Sequence, residues 1–556
     1  MHASYLVTGM CRCLWAAAVG LATEPAATEA AKPKPARPKI TISKETTYIT
    51  GPLRPDGYPD YLAALNELTS RGVTPENNAA VPFLRAVGPK SIPAELRPQF
   101  FKLLGIKELP EKGAYIVSLG AVVRMKREAA QAKRDDPDDD DVSDELLDQL
   151  DRAGGEPWSP DAYPVLFAWL TINESPLRTI AEGVKRPRFY TPIVAKAGES
   201  LYSSILTVEM GEARDVGRLF RLRAMLRLKG GNADEAWQDL LACHRLSRLM
   251  GQKPTMVDQL VAAVVEGIAC RGDAVLAHHG NLTAKQAAAI LADLDKLPAL
   301  PRLASVVSTG ERYYGLDAIV TAVQTGPKPL FIDYGTETPE LEAHDKAVTK
   351  LVADPRLDWG SVFRGVNAAY DRVARACNKP AYSQMREAVS AEEKAAANRG
   401  RQAAQPSAVA TSLAENATPQ SIGQHLATLV WSSVGSAMEA CLLCEIRTQT
   451  SVLLSRLAFA LAGYRSDHDK YPATLAELKP KYISEIPKDL FTDKDLIYRP
   501  QDGDKGYVLY SLGPNGRDDG GRNANDDWEK YENVEPDQRP DDIAIRTPAT
   551  AGGGAK

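Results

Sequence analysis

Histidine is scarce in this chain, and the local patterns that mark common enzyme classes are missing. The 556 residues include 7 histidines, and none stands in the H-E-x-x-H spacing of zinc proteases. The sequence also contains no G-x-S-x-G elbow, no Walker P-loop and no strand followed by G-x-G-x-x-G. The enzyme classes that these motifs identify are therefore excluded. A pair of catalytic carboxylates stays open, because such pairs are not contiguous in sequence.

Cysteine occurs in an odd number and without the spacing of a disulfide framework. Of the 7 cysteines, Cys441 and Cys444 fit a C-x-x-C pattern, but they lie in an apolar helical stretch and not between a strand and a helix. We interpret both as buried helix residues and not as a redox pair. A basic excess is also absent, because the net charge is -5, so the sequence predicts no nucleic-acid partner.

The chain contains no stretch of 18 uninterrupted apolar residues, so we expect no transmembrane helix beyond an N-terminal signal segment. In that segment Arg12 precedes the run CLWAAAVGLA, and a Pro- and Ala-rich leader continues to about residue 38. The run has the length of the apolar region of a signal peptide. It predicts an exported protein of the periplasm or cell envelope, and the alternative is a disordered leader.

Helical patterns dominate the rest of the chain, with one strand predicted at 40–50 and a helix predicted to start at Pro75. The clearest element is a helical hairpin at 212–249 with its turn at 230–232. Its arginines at positions 214, 218 and 221 mark one face, which we interpret as solvated and paired with nearby acids. Those acids are Asp215, Asp234, Glu235 and Asp239.

The predicted fold is mainly α, with a multi-helix, helical-hairpin body and a small C-terminal α+β domain. In that domain a long helix is expected to pack on a three-stranded antiparallel sheet. The predicted regions are a signal and leader at 1–38, a helical region at 39–125, an acidic linker at 126–157, the hairpin body at 158–387, an Ala/Ser/Gln-rich linker at 388–423, the C-terminal domain at 424–548 and a Gly-rich tail at 549–556.

The C-terminal domain joins a helical pattern to three strand patterns. An amphipathic helix is predicted at 450–465, and Thr474 with Glu477 forms a capping box for a short helix after it. Strands are predicted at 496–499, 507–512 and 543–546. Acidity is concentrated here, because residues 502–542 carry 12 acidic and 5 basic side chains, a net charge of -7.

This order of elements resembles the globular head of the major pseudopilin of the type II secretion system, over roughly 453–548. The matching segments are LSRLAFALAGYRSDHDKYPATLAEL, IPKDLF, LIYRP, YVLYSLGPNG and the later DDI. A pseudopilin begins with a processed apolar helix, whereas the matching helix is internal here. The resemblance therefore implies the head and not assembly into a pilus.

The resemblance implies a calcium ion held by the loop that follows the second strand. The implied ligands are the carbonyl of Leu512, the side chain of Asn515, and the carboxylates of Asp541 and Asp542. Asn515 stands where the family has an aspartate, and two further acids in the loop would supply the missing charge. Those acids are Asp518 and Asp519.

Oxygen ligands and glycines in this loop suit calcium, which takes six to eight oxygens in flexible geometry. The alternative is a type I′ turn at Asn515-Gly516 in a disordered acidic loop. We expect a non-catalytic structural or interaction protein of the cell envelope, with calcium stabilising its head and a protein partner. The alternatives are a periplasmic hydrolase with its cleft in the helical body, and a helical-hairpin adaptor that binds a peptide.

Overall fold

The structure is a computed structural model. It describes residues 38–129, 143–196, 199, 201, 210–331, 338–435, 437–501, 505–526, 528–535 and 538–547. The predicted signal run, the acidic run at 134–141 and the Gly-rich tail lie outside the described residues.

Helices make up most of the described chain, which confirms the predicted mainly α class. The first eleven are α1 Tyr61–Ser70, α2 Ala80–Val87, α3 Arg97–Leu104, α4 Leu119–Ala129, α5 Asp144–Gly155, α6 Pro164–Ile172, α7 Glu174–Gly183, α8 Met210–Lys229, α9 Ala233–Met250, α10 Met256–His279 and α11 Ala284–Asp295. The others are α12 Leu303–Val306, α13 Arg312–Thr325, α14 Pro339–Val352, α15 Trp359–Ala376, α16 Tyr382–Ala403, α17 Pro406–Ser412, α18 Pro419–Val434, α19 Met438–His468 and α20 Trp528–Tyr531. A π-helix at Val307–Glu311 joins α12 to α13.

The predicted helical hairpin is present as α8 and α9, but on its arginine face Arg214 and Arg218 are half-buried and Arg221 is buried. Gly231 makes the turn at φ 78°, where glycine avoids the strain of a side chain, and Asn232 caps α9. Arg221 and Arg223 are buried, and Arg223 pairs with the buried Asp239 at 2.6 Å. The solvated interpretation was wrong for Arg221 because α9 and α10 pack against α8. The predicted pairing with Asp215 is present, since Arg218 lies 3.5 Å from it.

Two of the predicted local structures near the N-terminus are wrong. Residues 40–50 form turns and not a strand, because their hydroxyls bond to the nearby backbone: Thr47 Oγ1 donates to the carbonyl of Ser43 at 3.1 Å. The helix predicted from Pro75 starts at Ala80. Thr74 and Asn77 close a turn before it, with the Thr74 amide donating to Asn77 Oδ1 at 2.9 Å.

Both predicted linkers contain helices where the structure describes them. The acidic linker at 126–157 includes α5, which Ser143 caps and which buries Leu146 and Leu150. The Ala/Ser/Gln-rich stretch at 388–423 lies in α16, α17 and the start of α18. Its small residues allow close packing, since a Cβ on Gly400 would overlap Ser432 of α18. Alanine and glycine here form a helix contact, so the low content of large apolar residues was misleading.

The C-terminal sheet has the three predicted strands in the order β1-β2-β3, all antiparallel. They are β1 Ile497–Gln501, β2 Gly506–Ser511 and β3 Ile543–Thr547. Leu509 lies opposite Tyr498 in β1 and Ile545 in β3. The capping box at Thr474 is also present, although the turn it starts is a 3-10 helix.

Helix α19 connects two large apolar clusters. The first cluster holds the cores of α8 to α11, the second half of α19 and one face of the sheet, including Leu457 and Leu509. The second holds α13, α15, α16 and α18 with the first half of α19, including Phe363 and Ile446. Residues from 424 onward therefore share their core with the helical body.

The stretch Pro419–His468 is long and apolar enough to cross a membrane by length and composition. More than half of its most apolar window is buried inside the protein, as in the core helix of a protein that spans no membrane. The helix is interrupted at Ala437, which has φ 71°, and Glu393 accepts the amide of Glu439 at 2.8 Å. A span beyond the leader therefore has only weak support.

Candidate functional site

The acidic loop after β2 covers the outer face of the sheet. That face carries Val508 and Tyr510, which are buried in a small cluster of their own. The Tyr510 hydroxyl donates to Asp518 Oδ1 at 2.7 Å, and a Cβ on Gly521 would lie 3.1 Å from a methyl of Val508. Asp518 and Gly521 therefore anchor this loop on the outer face of the sheet.

The structure brings the two halves of the predicted calcium loop together. The Asn515 amide donates to both carboxylate oxygens of Asp541, at 3.0 and 3.3 Å. Gly513, at φ 64°, lies so close that a Cβ there would overlap the Asp541 carbonyl oxygen. The Asp542 amide donates to the Arg522 carbonyl at 3.1 Å. Closure of the loop thus depends on backbone groups at both of its ends.

Asp518 is held by neutral and cationic donors of the sheet and loop. Besides Tyr510, the Gly520 amide donates to Oδ1 at 2.9 Å and Arg499 pairs with Oδ2 at 2.7 Å. The hydrogen bond from Tyr510 is the main cause that lowers the Asp518 pKa. The carboxylate is therefore ionised and already has a counter-ion, so it contributes little unbalanced charge.

Asn515 and Asp519 bind to each other and to the far end of the loop. Asn515 Nδ2 donates to Asp519 Oδ2 at 2.8 Å, and the Asp541 amide donates to the same oxygen at 3.2 Å. Asn515 Oδ1 accepts the Arg517 amide at 2.7 Å. The amide side chain thus performs part of the closure that the resemblance assigned to a carboxylate.

Asp542 is the predicted ligand with unmet bonding capacity. Asp542 is only 1% exposed. Its Oδ2 accepts the Gly521 amide at 2.7 Å, while its Oδ1 has no hydrogen-bond partner among the described residues. Burial raises the Asp542 pKa to about 6, and Asp519 and Asp518 add repulsion. Burial also raises the pKa of Asp541, with Arg447 opposing the shift. A proton or a cation would relieve this site.

Asp489 is an organising residue that the sequence pattern did not single out. It is 1% exposed and accepts hydrogen bonds from Ser511 Oγ at 2.8 Å and the Leu512 amide at 3.0 Å. It also accepts the Phe491 amide and the Thr492 hydroxyl. In the sequence it lies within the matching segment IPKDLF, and an aspartate after Pro-Lys in a turn commonly accepts nearby amides.

Helices of the body hold the loop from the other side. Arg386 of α16 donates to the Pro514 carbonyl, and Ser383 donates to Asp493 at 2.6 Å. Leu512, predicted to offer its carbonyl, is 8% exposed and is anchored through its amide to Asp489. The loop is thus part of the interface between the sheet and the helical body.

The donor set suits a hard cation but does not by itself complete a coordination sphere. Across the parts of the chain that the structure describes, no group of three or more acidic, histidine or cysteine side chains is arranged to hold a metal. Asp542 and Asp519 supply carboxylate oxygens, and calcium also accepts backbone carbonyls and water. The fit therefore rests on the unpaired oxygen of Asp542.

The helical body contains a buried charge network that has no access to solvent. His244 contacts Glu266 Oε1 at 2.9 Å and Asp273 Oδ2 at 3.0 Å, and Arg248 pairs with Glu266. All four residues are buried. Burial alone would lower the His244 pKa, but Asp273 and Glu266 outweigh it and raise the pKa to about 10. The network therefore joins α9 to α10 through buried ion pairs.

A small, partly open apolar cleft lies between α10 and α19. Leu260 and Leu303 line it together with Cys441 and Cys444. Both cysteines lie in helix α19, as predicted, but only Cys441 is buried, whereas Cys444 is partly exposed. Glu445 is the acid in its lining, and it accepts the Leu303 amide at 2.8 Å. The cleft therefore lacks convergent catalytic groups among its lining residues.

No protein-family model matches this chain, and neither the curated proteins nor the solved structures contain a significant match to it.

Proposed function

We propose that this chain is an exported, non-catalytic structural or interaction protein of the cell envelope. Its C-terminal sheet, which resembles the head of a pseudopilin, would be closed by a calcium ion bound in the loop between β2 and β3. A protein partner would contact the helical body or the head. The proposal follows from the acidic loop, where Asp542 combines burial, negative charge and an oxygen without a hydrogen-bond donor among the described residues.

The single observation that carries the proposal is the buried carboxylate of Asp542. An ionised carboxylate in a dry environment is costly unless it is paired or bound to a cation. One oxygen of Asp542 has a donor and the other has none among the described residues, and burial, reinforced by neighbouring acids, raises the pKa to about 6. Near pH 7 most of the group would be ionised, so a cation supplies what the described residues do not.

Calcium is the cation that fits this chemistry best. The candidate ligands are oxygens on a loop with glycines at positive φ, at Gly513, Gly516, Gly520 and Gly521. Calcium accepts carboxylate, carbonyl and water oxygens without strict geometry, whereas magnesium demands a near-ideal octahedron. Asp542 and Asp519 would hold the ion, and bound calcium would supply positive charge that joins the end of β2 to the start of β3.

The non-catalytic part of the proposal is supported by the state of the other ionisable groups. The carboxylates around His244 are buried and paired. In the cleft between α10 and α19, Glu445 is tied to Leu303 and Arg302. Neither arrangement offers a carboxylate or histidine pair facing an accessible cleft. No specific contact favours the hydrolase or the peptide adaptor over the structural role.

The test is thermal unfolding of the full chain with millimolar calcium and with chelator. A ligand that binds only the native state stabilises it by about 2.7 kcal/mol at a hundred times its dissociation constant. We expect calcium to raise the midpoint and equal magnesium to raise it less. The full chain is required because α19 shares both apolar clusters. No shift with calcium would overturn the proposal.

Asp542→Asn separates loss of binding from loss of folding. The raised pKa of Asp542 means that its charge opposes folding near pH 7, so the variant in chelator should be as stable as the parent or more stable. The same variant should lose the response to calcium. Glu535→Gln is the matched control, because Glu535 is an exposed acid of the same loop. A calcium response kept by Asp542→Asn would contradict the assignment.

A further inference from the structure

Glu311 is a buried acid inside the second apolar cluster, beside Met256 and Val307. It is 5% exposed and ends the π-helix that precedes α13. Its Oε1 accepts the Met256 amide, in the first turn of α10, at 2.6 Å. Among the described residues no lysine, arginine or histidine forms an ion pair with it, in contrast to Asp239, Glu266 and Asp317.

The surrounding backbone holds Glu311 in this position. The preceding Gly310 lies against the turn before α10, where a Cβ would overlap the Pro254 carbonyl oxygen. The Tyr370 hydroxyl of α15 donates to the Glu311 carbonyl at 2.8 Å. A π-helix widens the helical turn and often marks a functional position. The carboxyl group therefore cannot turn to solvent without separating the π-helix from the start of α10.

The charged groups nearby are already engaged elsewhere. Asp258 of α10 belongs to the capping box of Thr255 and pairs with Lys253 at 2.9 Å. The next residue after Glu311, Arg312, pairs with Asp371 of α15 at 2.6 Å and lies over the ring of Tyr48. The other ionisable groups around α13 are Tyr313, Tyr314, Asp317, Tyr370 and, from α1, Tyr61.

We propose that Glu311 is a proton-sensitive contact between α10 and the π-helix, which is tight when Glu311 is protonated and weaker when it is ionised. The Met256 amide can donate to either form, since both have a free carbonyl-type oxygen. The positive end of the α10 dipole favours the anion only modestly. The desolvation free energy of a buried carboxylate is larger than the stabilisation from one amide hydrogen bond. The neutral acid is therefore the more stable form of Glu311 in the folded protein.

The direction of the pH effect follows from the proton balance. Burial raises the Glu311 pKa to about 7, and Asp258 adds to the shift. A carboxyl group whose pKa is higher in the folded state stabilises the fold at pH values below its unfolded pKa. That contribution is lost as pH rises from about 4.5 towards 7 and stays absent above it. The contact between α10 and the π-helix should therefore loosen from mildly acidic to neutral pH.

The test compares the full chain with Glu311→Gln from pH 5 to pH 8.5 in calcium-free buffer. The variant keeps the size of the side chain and cannot ionise. We expect similar unfolding equilibria at pH 5, and at pH 8 an unfolding constant for the variant that is lower by on the order of 100-fold. Glu340→Gln, at an exposed position in the first turn of α14, is the control. The proposal would be overturned if the unfolding constants of the parent chain and Glu311→Gln differed by the same factor at pH 5 and pH 8, or did not differ at either pH.

Hydrogen exchange provides a local measurement on the unmodified chain. Protection of the segment 253–262, corrected for the intrinsic exchange rate at each pH, should fall as pH rises from 5 to 8. In Glu311→Gln the corrected protection should stay constant. Protection that is constant in the parent chain would refute the inference even if the variant failed to fold. Calcium binding at the C-terminal loop is not involved, so the outcome is independent of the proposed function.

Discussion

Replacing His244 by glutamine would remove the cation at the centre of the buried network in α9 and α10. His244 bridges Glu266 at 2.9 Å and Asp273 at 3.0 Å, and all three side chains are buried. Glutamine can donate to one carboxylate but carries no charge. Arg248 would still pair with Glu266. Asp273, whose second oxygen has no hydrogen-bond partner among the described residues, would be left as an uncompensated acid.

The magnitude follows from the pKa of His244, which is raised from 6.5 to about 10. A shift of one pKa unit corresponds to about 1.4 kcal/mol, so the charged network contributes about 3 to 5 kcal/mol. The lowered pKa of Glu266, about 2, describes the same interaction and is not added. Removing one partner of a buried ion pair typically costs a similar amount, about 3 to 5 kcal/mol.

The sign of the pH dependence is set by a histidine that holds its proton more tightly in the folded state. Its contribution is fully present below pH 6.5 and is lost as pH rises through 10. The parent chain should therefore lose about 3 to 5 kcal/mol from this group between pH 6 and pH 10. His244→Gln should be less stable than the parent at pH 6 and should approach it at pH 10.

The assay is denaturant unfolding at pH 6 and pH 10, followed by tryptophan fluorescence. Trp237 is a local reporter, because its ring centroid lies 6.1 Å from that of His244. His468→Gln is the matched control at an exposed position at the end of α19, and it should follow the pH profile of the parent. A loss below about 1 kcal/mol at pH 6, or an unchanged pH dependence in His244→Gln, would refute the reasoning.

Two further substitutions test the closure of the C-terminal loop, both by thermal unfolding. Gly513→Ala should lower the free energy of unfolding by about 2 kcal/mol or more, because this position combines positive φ with overlap of the Asp541 carbonyl. Gly520→Ala, at φ 73° in open space, should lower it by about 1 kcal/mol. Equal costs would contradict the predicted steric contact. Asp489→Ala should lower the free energy of unfolding by about 2 to 4 kcal/mol, because Ser511 and Leu512 lose a buried acceptor. A decrease below about 0.5 kcal/mol would contradict the organising role of Asp489.

Local patterns were sufficient where a few adjacent residues decide the structure. The strands at 497–501 and 506–511 follow from short runs rich in β-prone residues, and the α8–α9 turn follows from Gly231 and Asn232. Each signal is contained in one segment, so no distant contact is needed to interpret it. In the Ala/Ser/Gln-rich stretch, burial depends on small residues that fit a neighbouring helix, as Gly400 fits Ser432. In the acidic linker, α5 buries Leu146 and Leu150 among acidic residues that suggested a solvated segment.

The pairing of charges required contacts that no linear pattern contains. Arg221 was grouped with a solvated face, yet it is buried and pairs with Asp151 of α5 at 3.9 Å. Glu311 carried no signal at all, because an acid in a helical sequence is normally exposed. Its distinctive property is the absence of an ion-pair partner among the described residues, and that depends on how α10, α13 and α15 meet.

The sequence by itself determined the mainly helical class, the three strands and the acidic composition of the last loop. It could not decide whether that acidity faces water. The tertiary structure decided this, because β3 pairs with β2 and thereby brings Asp541 and Asp542 against the loop that leaves β2. Burial and the proximity of Asp518 and Asp519 then change the chemistry of the Asp542 carboxylate. The composition gives the number of charged groups, whereas the energetic cost of each charge depends on which groups the fold places beside it.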